Sequence, residues 1–221
     1  MSLDFERARF NMVEQQVRTW EVLDQRVLDV LRTVKREDFV PARYRKMAFA
    51  DLALPIDGGE RNETMMKPVI EGRMLQALDA SDACSILEVG TGSGFITACL
   101  AQLGREVTSI DIAPRFVERA AGRLAGAGIA NVKLEAADAT AYEPGRQFDV
   151  VCVTGAVFAV PERFRSWLRV GGRMFVVCGE SPVMDARLVT RVTEHDYRVD
   201  SLFETDLPYL VNAAPPDRFV L

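Results

Sequence analysis

The run "SILEVGTGSGFITACLAQL", residues 85 to 103, restricts the fold more than any other stretch of this chain. A short apolar segment meets glycine at every second position, Gly90, Gly92 and Gly94, and an apolar helical segment follows at once. A buried strand, a turn that needs positive backbone angles and a helix returning over the sheet form the opening unit of a parallel α/β layer. Apolar runs recur at 106–111, 131–136, 148–154 and 173–179, separated by helical or turn segments. Strands buried on both faces read in this way, so the expected fold is α/β with a doubly wound, mostly parallel sheet.

The flanks complete the expectation. Residues 4–18 and 24–34 read as helices, the second with Val27, Leu28, Leu31 and Val34 on one stripe, and Pro41 ends the helical pattern at Val40. A long loop or irregular hairpin rich in Gly, Asp, Asn and Pro spans 51–67. Pro68 then opens a helix carrying Ile70, Met74 and Leu78 at four-residue spacing. Segments 186–194 and 198–211 read as two strands, a C-terminal antiparallel addition. The chain is thus expected to be one domain over 1–221, with a helical cap at 1–50, the loop at 51–67 and a sheet domain at 68–221.

Composition narrows the function class. The net charge is −5 with no long Lys/Arg block, which argues against nucleic acid or an anionic membrane as partner. The cluster Arg43, Arg45 and Lys46 reads as a solvated helix face. No window approaches the roughly 18 apolar residues of a membrane span, and "MSLDFERARF" lacks a signal-peptide core, so a cytoplasmic location is expected. Cys84, Cys99, Cys152 and Cys178 are widely spaced and have no zinc pattern; reduced thiols and no metal are expected.

The glycine spacing separates two kinds of cofactor. A dinucleotide fingerprint needs G-x-G-x-x-G, and its third glycine would fall on Phe95, which disfavours a nicotinamide oxidoreductase. The G-x-G-x-G pattern with Glu88 two places ahead resembles the first motif of Rossmann-like S-adenosylmethionine methyltransferases. Asp111 ends the next strand about 20 residues later, where a carboxylate can accept both ribose hydroxyls. The resemblance carries that role to Asp111 and the adenine amine to Asp138 in "EAADAT". It sets Thr154 of "FDVVCVTGAV" at the methionine end of the cofactor. The resulting S-adenosylmethionine set is Glu88, Gly90, Thr91, Gly92, Gly94, Asp111, Ile112, Asp138, Ala139 and Thr154.

Upstream, "MVEQQVRTWEVLDQRVLDVLRTVKREDFVP" and "AFADLALPI" resemble the N-terminal region of protein-L-isoaspartate O-methyltransferases. The resemblance makes 51–67 the active-site loop, where that family runs G-Q-T-I-S-x-P. Anchored on Pro68, Thr64, Met65, Met66 and Lys67 stand opposite Thr, Ile, Ser and the variable residue, so Met66 replaces the serine. The interval from Pro55 to Pro68 is also longer than the family pattern. No catalytic residue is assigned; Thr64, Met66 and Lys67 are the candidates. A carboxylate acceptor is ionised near pH 7 and needs no general base, so loss of the serine hydroxyl weakens positioning rather than removing the reaction. Asp57, Glu60 and Glu63 against Arg61 make residues 57–63 acidic, which repels a carboxylate unless Lys67 or Arg73 points inward. His195 reads as a surface turn residue.

Two functions follow. The first is methyl transfer from S-adenosylmethionine to a carboxylate of a protein or peptide, as in isoaspartyl repair. The alternative is a cofactor-binding protein of the same fold with a lost or changed acceptor, acting as a sensor or partner-binding module. The sequence does not define an oligomeric state.

Overall fold

Asp4 accepts the Arg7 N–H at 3.1 Å and so caps helix α1 (Phe5–Met12); Asp24 caps α2 (Gln25–Thr33) through the Arg26 N–H at 2.9 Å. Each carboxylate takes up an amide that a helix start leaves unpaired. The structure, a computed structural model, describes residues 4–56 and 62–216. The helix expected over 4–18 changes pitch: after α1 it widens into a π turn at Val13–Val17 and tightens into a 3-10 turn at Arg18–Trp20. Val13 and Val17, the first and last residues of the π turn, are both buried in the core.

Strands β1 (Leu54–Pro55) and β2 (Thr64–Met65) pair antiparallel with Leu54 opposite Met65, so the long loop is hairpin-like where it is described. Helix α3 (Pro68–Leu78) opens on its proline. There follow β3 (Ser85–Val89), α4 (Phe95–Leu103), β4 (Glu106–Asp111), α5 (Pro114–Gly126) and β5 (Val132–Ala136). The chain continues through β6 (Phe148–Val157), α6 (Glu162–Ser166), β7 (Leu168–Glu180), β8 (Val183–Arg191) and β9 (Tyr197–Thr205). Sheet order is β5-β4-β3-β6-β7-β8-β9, parallel as far as β7 and antiparallel beyond it. This is the expected doubly wound sheet with its antiparallel addition. Strand order reverses between β3 and β6, and open α/β sheets bind ligands outside the strand ends at such a point.

Successive residues of β3 face opposite layers. Ile86 joins the core under α3, α4 and the N-terminal cap, while Leu87 and Val89 join a second core with Phe164 and Trp167, whose rings stack at 4.4 Å. The cap is fastened to the sheet by buried charge. Arg9 pairs with Glu37 inside the cap, and Arg36 reaches out of it to Glu71 on α3.

The strand expected over 198–211 is a correction: it ends at Thr205. Pro208 has no N–H for a ladder. The chain instead crosses back over the end of β6, where the Ala156 N–H donates to the Pro208 carbonyl at 2.9 Å and the Leu210 N–H to the Ala156 carbonyl at 2.8 Å.

Candidate active site

The turn after β3 is built for close backbone approach. Gly90 has φ +97°, and a Cβ there would stand 2.3 Å from Thr154 Oγ1, whose hydroxyl donates to the Gly90 carbonyl at 2.7 Å. No other residue fits this turn without displacing Thr154. The Gly90 N–H is tied to the Ile110 carbonyl at 2.8 Å, which seats the turn against the end of β4.

Asp111 closes β4 with a buried carboxylate: Oδ2 accepts the Gly92 N–H and Oδ1 the Ala113 N–H, each at 2.9 Å. Burial raises its pKa against the pull of those two amides. Each oxygen has two lone pairs, so both keep acceptor capacity for a ligand. At the end of β5, Asp138 Oδ1 takes the Thr140 amide and hydroxyl, and Oδ2 takes Asn212 Nδ2 at 2.9 Å. Burial opposes ionisation of Asp138, yet these donors outweigh it and its pKa is lowered.

Gly90, Thr91 and Gly92 line one crevice with Asp111 and Ile112 from β4, Asp138 and Ala139 from β5, and Thr154 from β6. Two residues of the expected set lie elsewhere. Gly94 is the N-cap of α4 at φ +85°, where a Cβ would press on Ala120 at 3.0 Å. Glu88 is wholly buried beneath the turn; its Oε2 accepts Thr97 Oγ1 and Ser109 Oγ, both at 2.6 Å. Burial pushes the Glu88 pKa up to about 8.

Of the loop candidates, Thr64 and Met66 line the crevice and Met65 joins them, both methionines being buried. Lys67 is exposed and outside the lining. Arg73 points away, to the Trp20 carbonyl at 3.1 Å and Glu21 at 3.2 Å. Asp57, Glu60 and Arg61 lie outside the described residues. His195 sits in an exposed turn, its N–H on Thr193 Oγ1 at 3.3 Å.

Sequence reading missed the wall formed by Tyr209, Leu210 and Val211, which arrives only because 207–213 doubles back. It also missed Phe95 and Glu71, whose signal was their place in the first turns of α4 and α3, the two helices that begin at the crevice. Among the described residues no Lys, Arg or His lines the crevice, while Glu63, Glu71, Asp111 and Asp138 do. Glu63 is paired with Arg115. No group of side chains among the described residues is disposed to hold a metal ion.

The residues fit a nucleoside that carries a cationic centre. The turn lacks side chains at Gly90 and Gly92, a carboxylate with spare lone pairs follows it, and the half-exposed Ile112 offers an apolar face for a base.

Known proteins resemble this chain over most of its length. The family model described as Protein-L-isoaspartate(D-aspartate) O-methyltransferase (PCMT) matches residues 7–206. Protein-L-isoaspartate O-methyltransferase 1 of Rhodopseudomonas palustris (strain HaA2) is 35% identical over 201 residues, spanning 90% of this chain and 80% of that protein. The protein-L-isoaspartate O-methyltransferase of Petrotoga mobilis (strain DSM 10674 / SJ95) is 34% identical over 200 residues, spanning 90% and 92%. A solved Plasmodium falciparum structure of that description, in complex with S-adenosyl-L-homocysteine, has TM-score 0.77 at 16% identity and covers 91% of this chain and 97% of its own. That likeness concerns the fold.

Proposed function

The chain belongs to the protein-L-isoaspartate(D-aspartate) O-methyltransferase family, and from that premise we propose that it transfers a methyl group from S-adenosylmethionine to a carboxylate of a protein or peptide, with isoaspartyl side chains as the first acceptor to test. The observation that carries the site assignment is the Asp111 carboxylate locked to the Gly92 amide beside an open glycine turn at the switch point of the sheet. When bound, S-adenosylmethionine supplies a methyl group activated by its sulfonium centre.

The chain's own residues bind, orient and exclude water. Asp111 would accept ribose hydroxyls, Asp138 would meet the base edge beside Ala139, and Gly90, Thr91 and Gly92 would leave room for the remainder along the turn, all of them residues that line the crevice. Thr154 holds the turn's shape through its bond to the Gly90 carbonyl. A carboxylate acceptor is already ionised, so no proton has to be removed and no general base is required. Positioning in a water-poor space then does most of the work. Met65, Met66 and Phe95 furnish the apolar side of that space, and Thr64 is the hydroxyl nearest in sequence to the serine that Met66 replaces. Loss of that hydroxyl costs about 1.5–3 kcal/mol of acceptor positioning. The proposal extends to a cytoplasmic setting, where Cys84, Cys99, Cys152 and Cys178 stay reduced.

The test pairs cofactor binding with turnover. S-adenosylhomocysteine should raise the melting temperature of the wild type and fail to do so for Asp111→Ala. Methyl-labelled cofactor and an isoaspartyl peptide should release labelled methanol as the ester hydrolyses. No thermal shift at millimolar ligand overturns the site assignment; a shift without methanol overturns the acceptor.

A further inference from the structure

Arg36 is not part of the crevice wall, yet it holds two residues that are. Its guanidinium is wholly buried, with Nε on Glu71 Oε2 at 3.0 Å and Nη2 on Glu71 Oε1 at 3.1 Å. Nη2 also donates to the Met66 carbonyl at 2.7 Å and Nη1 to the Ala48 carbonyl at 2.8 Å. The Phe95 ring lies against it, 5.4 Å from the guanidinium carbon to the centroid. One planar group thereby joins the cap at Ala48, the loop at Met66, α3 at Glu71 and the first residue of α4.

Glu71, Met66 and Phe95 all line the crevice. The loop has other ties close by: β2 is paired with β1, and the Val69 N–H reaches Asp51 at 3.3 Å. Between them, the carbonyl of Met66 itself is held by Arg36, at the step where the chain leaves β2 and enters α3. A guanidinium offers fixed donors in a plane, which an ammonium cannot reproduce.

We propose that Arg36 is a positioning residue for methyl transfer: through its fork on Glu71 and its bond to the Met66 carbonyl it sets how far the methionine wall stands from the glycine turn. The kinetic part rests on the proposed function. The structural part does not.

The test uses the full chain with ε-13C-methyl methionine, the Met65 and Met66 resonances being assigned by replacing each in turn. Two variants are compared, Arg36→Lys and the double variant Arg36→Met with Glu71→Leu. The double variant protects against loss of fold, because removing one partner strands a buried charge whereas exchanging both for apolar groups of similar volume is often neutral. In both, the Met66 resonance should shift or broaden while those of Met174 and Met184, deep in β7 and β8, stay in place. In Arg36→Lys, which leaves every crevice-lining side chain in the sequence, S-adenosylhomocysteine affinity should change by less than about threefold. The kcat on an isoaspartyl peptide should fall about 100-fold, as expected when reacting groups are misplaced by roughly an ångström. An unmoved Met66 resonance overturns the proposal. So does a shift shared equally by Met174 and Met184, which would make Arg36 a support of the whole fold. If the wild type turns over no isoaspartyl peptide, the proposed acceptor fails, and the Met66 resonance still decides the role of Arg36.

Discussion

Below about pH 8 the proton on Glu88 stays in the folded chain, held there by burial against the pull of the Ser109 and Thr97 hydroxyls. The unfolded chain releases it near 4.5, the ordinary value. Below that pH both states are protonated and nothing is lost; between 4.5 and about 8 the unfolded state binds fewer protons, so stability falls as pH rises. The slope from this one group is about 1.4 kcal/mol per pH unit. Glu88→Gln keeps the shape and removes the proton, so urea unfolding at pH 5 and pH 8 should show a smaller drop in the variant. Asp111 and Glu71, also raised by burial, are present in both proteins and cancel in the comparison. Equal drops would mean that Glu88 is ionised in the folded state. The placement of Asp111 and Asp138 at the crevice was legible in the sequence because Asp111 ends β4 and Asp138 follows the end of β5 by two residues. Glu88 entered the expected cofactor set through the resemblance of its motif, two places ahead of the first glycine, yet strand alternation places it with Ile86 on the face under α4, where the Thr97 hydroxyl donates to it.

At the scale of elements, Gly72 shows why helix propensity alone misleads. It sits inside α3, where glycine costs about 1 kcal/mol relative to alanine. A Cβ at this position would stand 2.6 Å from Val17 Cγ1 and 3.2 Å from Val22 Cγ2, so the missing methyl is what lets the π turn and the chain after it pack on the helix. Gly72→Ala should therefore destabilise: overpacking of about 1–3 kcal/mol acts on a β-branched side chain that cannot swing aside. A lower urea midpoint at unchanged slope would bear this out, and a higher one would mean that the cap shifts freely over α3. The parallel strands were readable because each is a continuous apolar run bounded by turn residues. The course of 206–213 was not. Its position is set by bonds to Ala156 and Phe158 some fifty residues earlier, which no local pattern records.

For the molecule as a whole, the question is whether the N-terminal cap folds as part of the sheet domain. The boundary near residue 50 was drawn from composition, and the contacts cross it. Arg36 bridges Ala48, Met66 and Glu71, and Met12, Val13 and Val17 share one continuous core with Met74, Leu75 and Leu78 of α3. A cap detached from that core would leave a buried carboxylate and a buried guanidinium unpaired and would uncover the Met65 and Met66 side of the crevice, which is costly enough to couple the two parts. We therefore expect a single cooperative transition over 1–221. The two tryptophans make this measurable, since Trp20 lies in the cap, half exposed, and Trp167 is buried between α6 and β7. In Trp167→Phe the fluorescence reports the cap and far-ultraviolet circular dichroism reports all of the secondary structure; in Trp20→Phe the fluorescence reports the sheet. Within each variant the optical and dichroic midpoints should coincide, and S-adenosylhomocysteine should move both together, because a ligand of the folded state stabilises everything that unfolds with its site. A cap signal that melts first, and that the ligand leaves in place, would divide the chain into two folding units and would mean that the methionine wall is carried by a part able to open on its own.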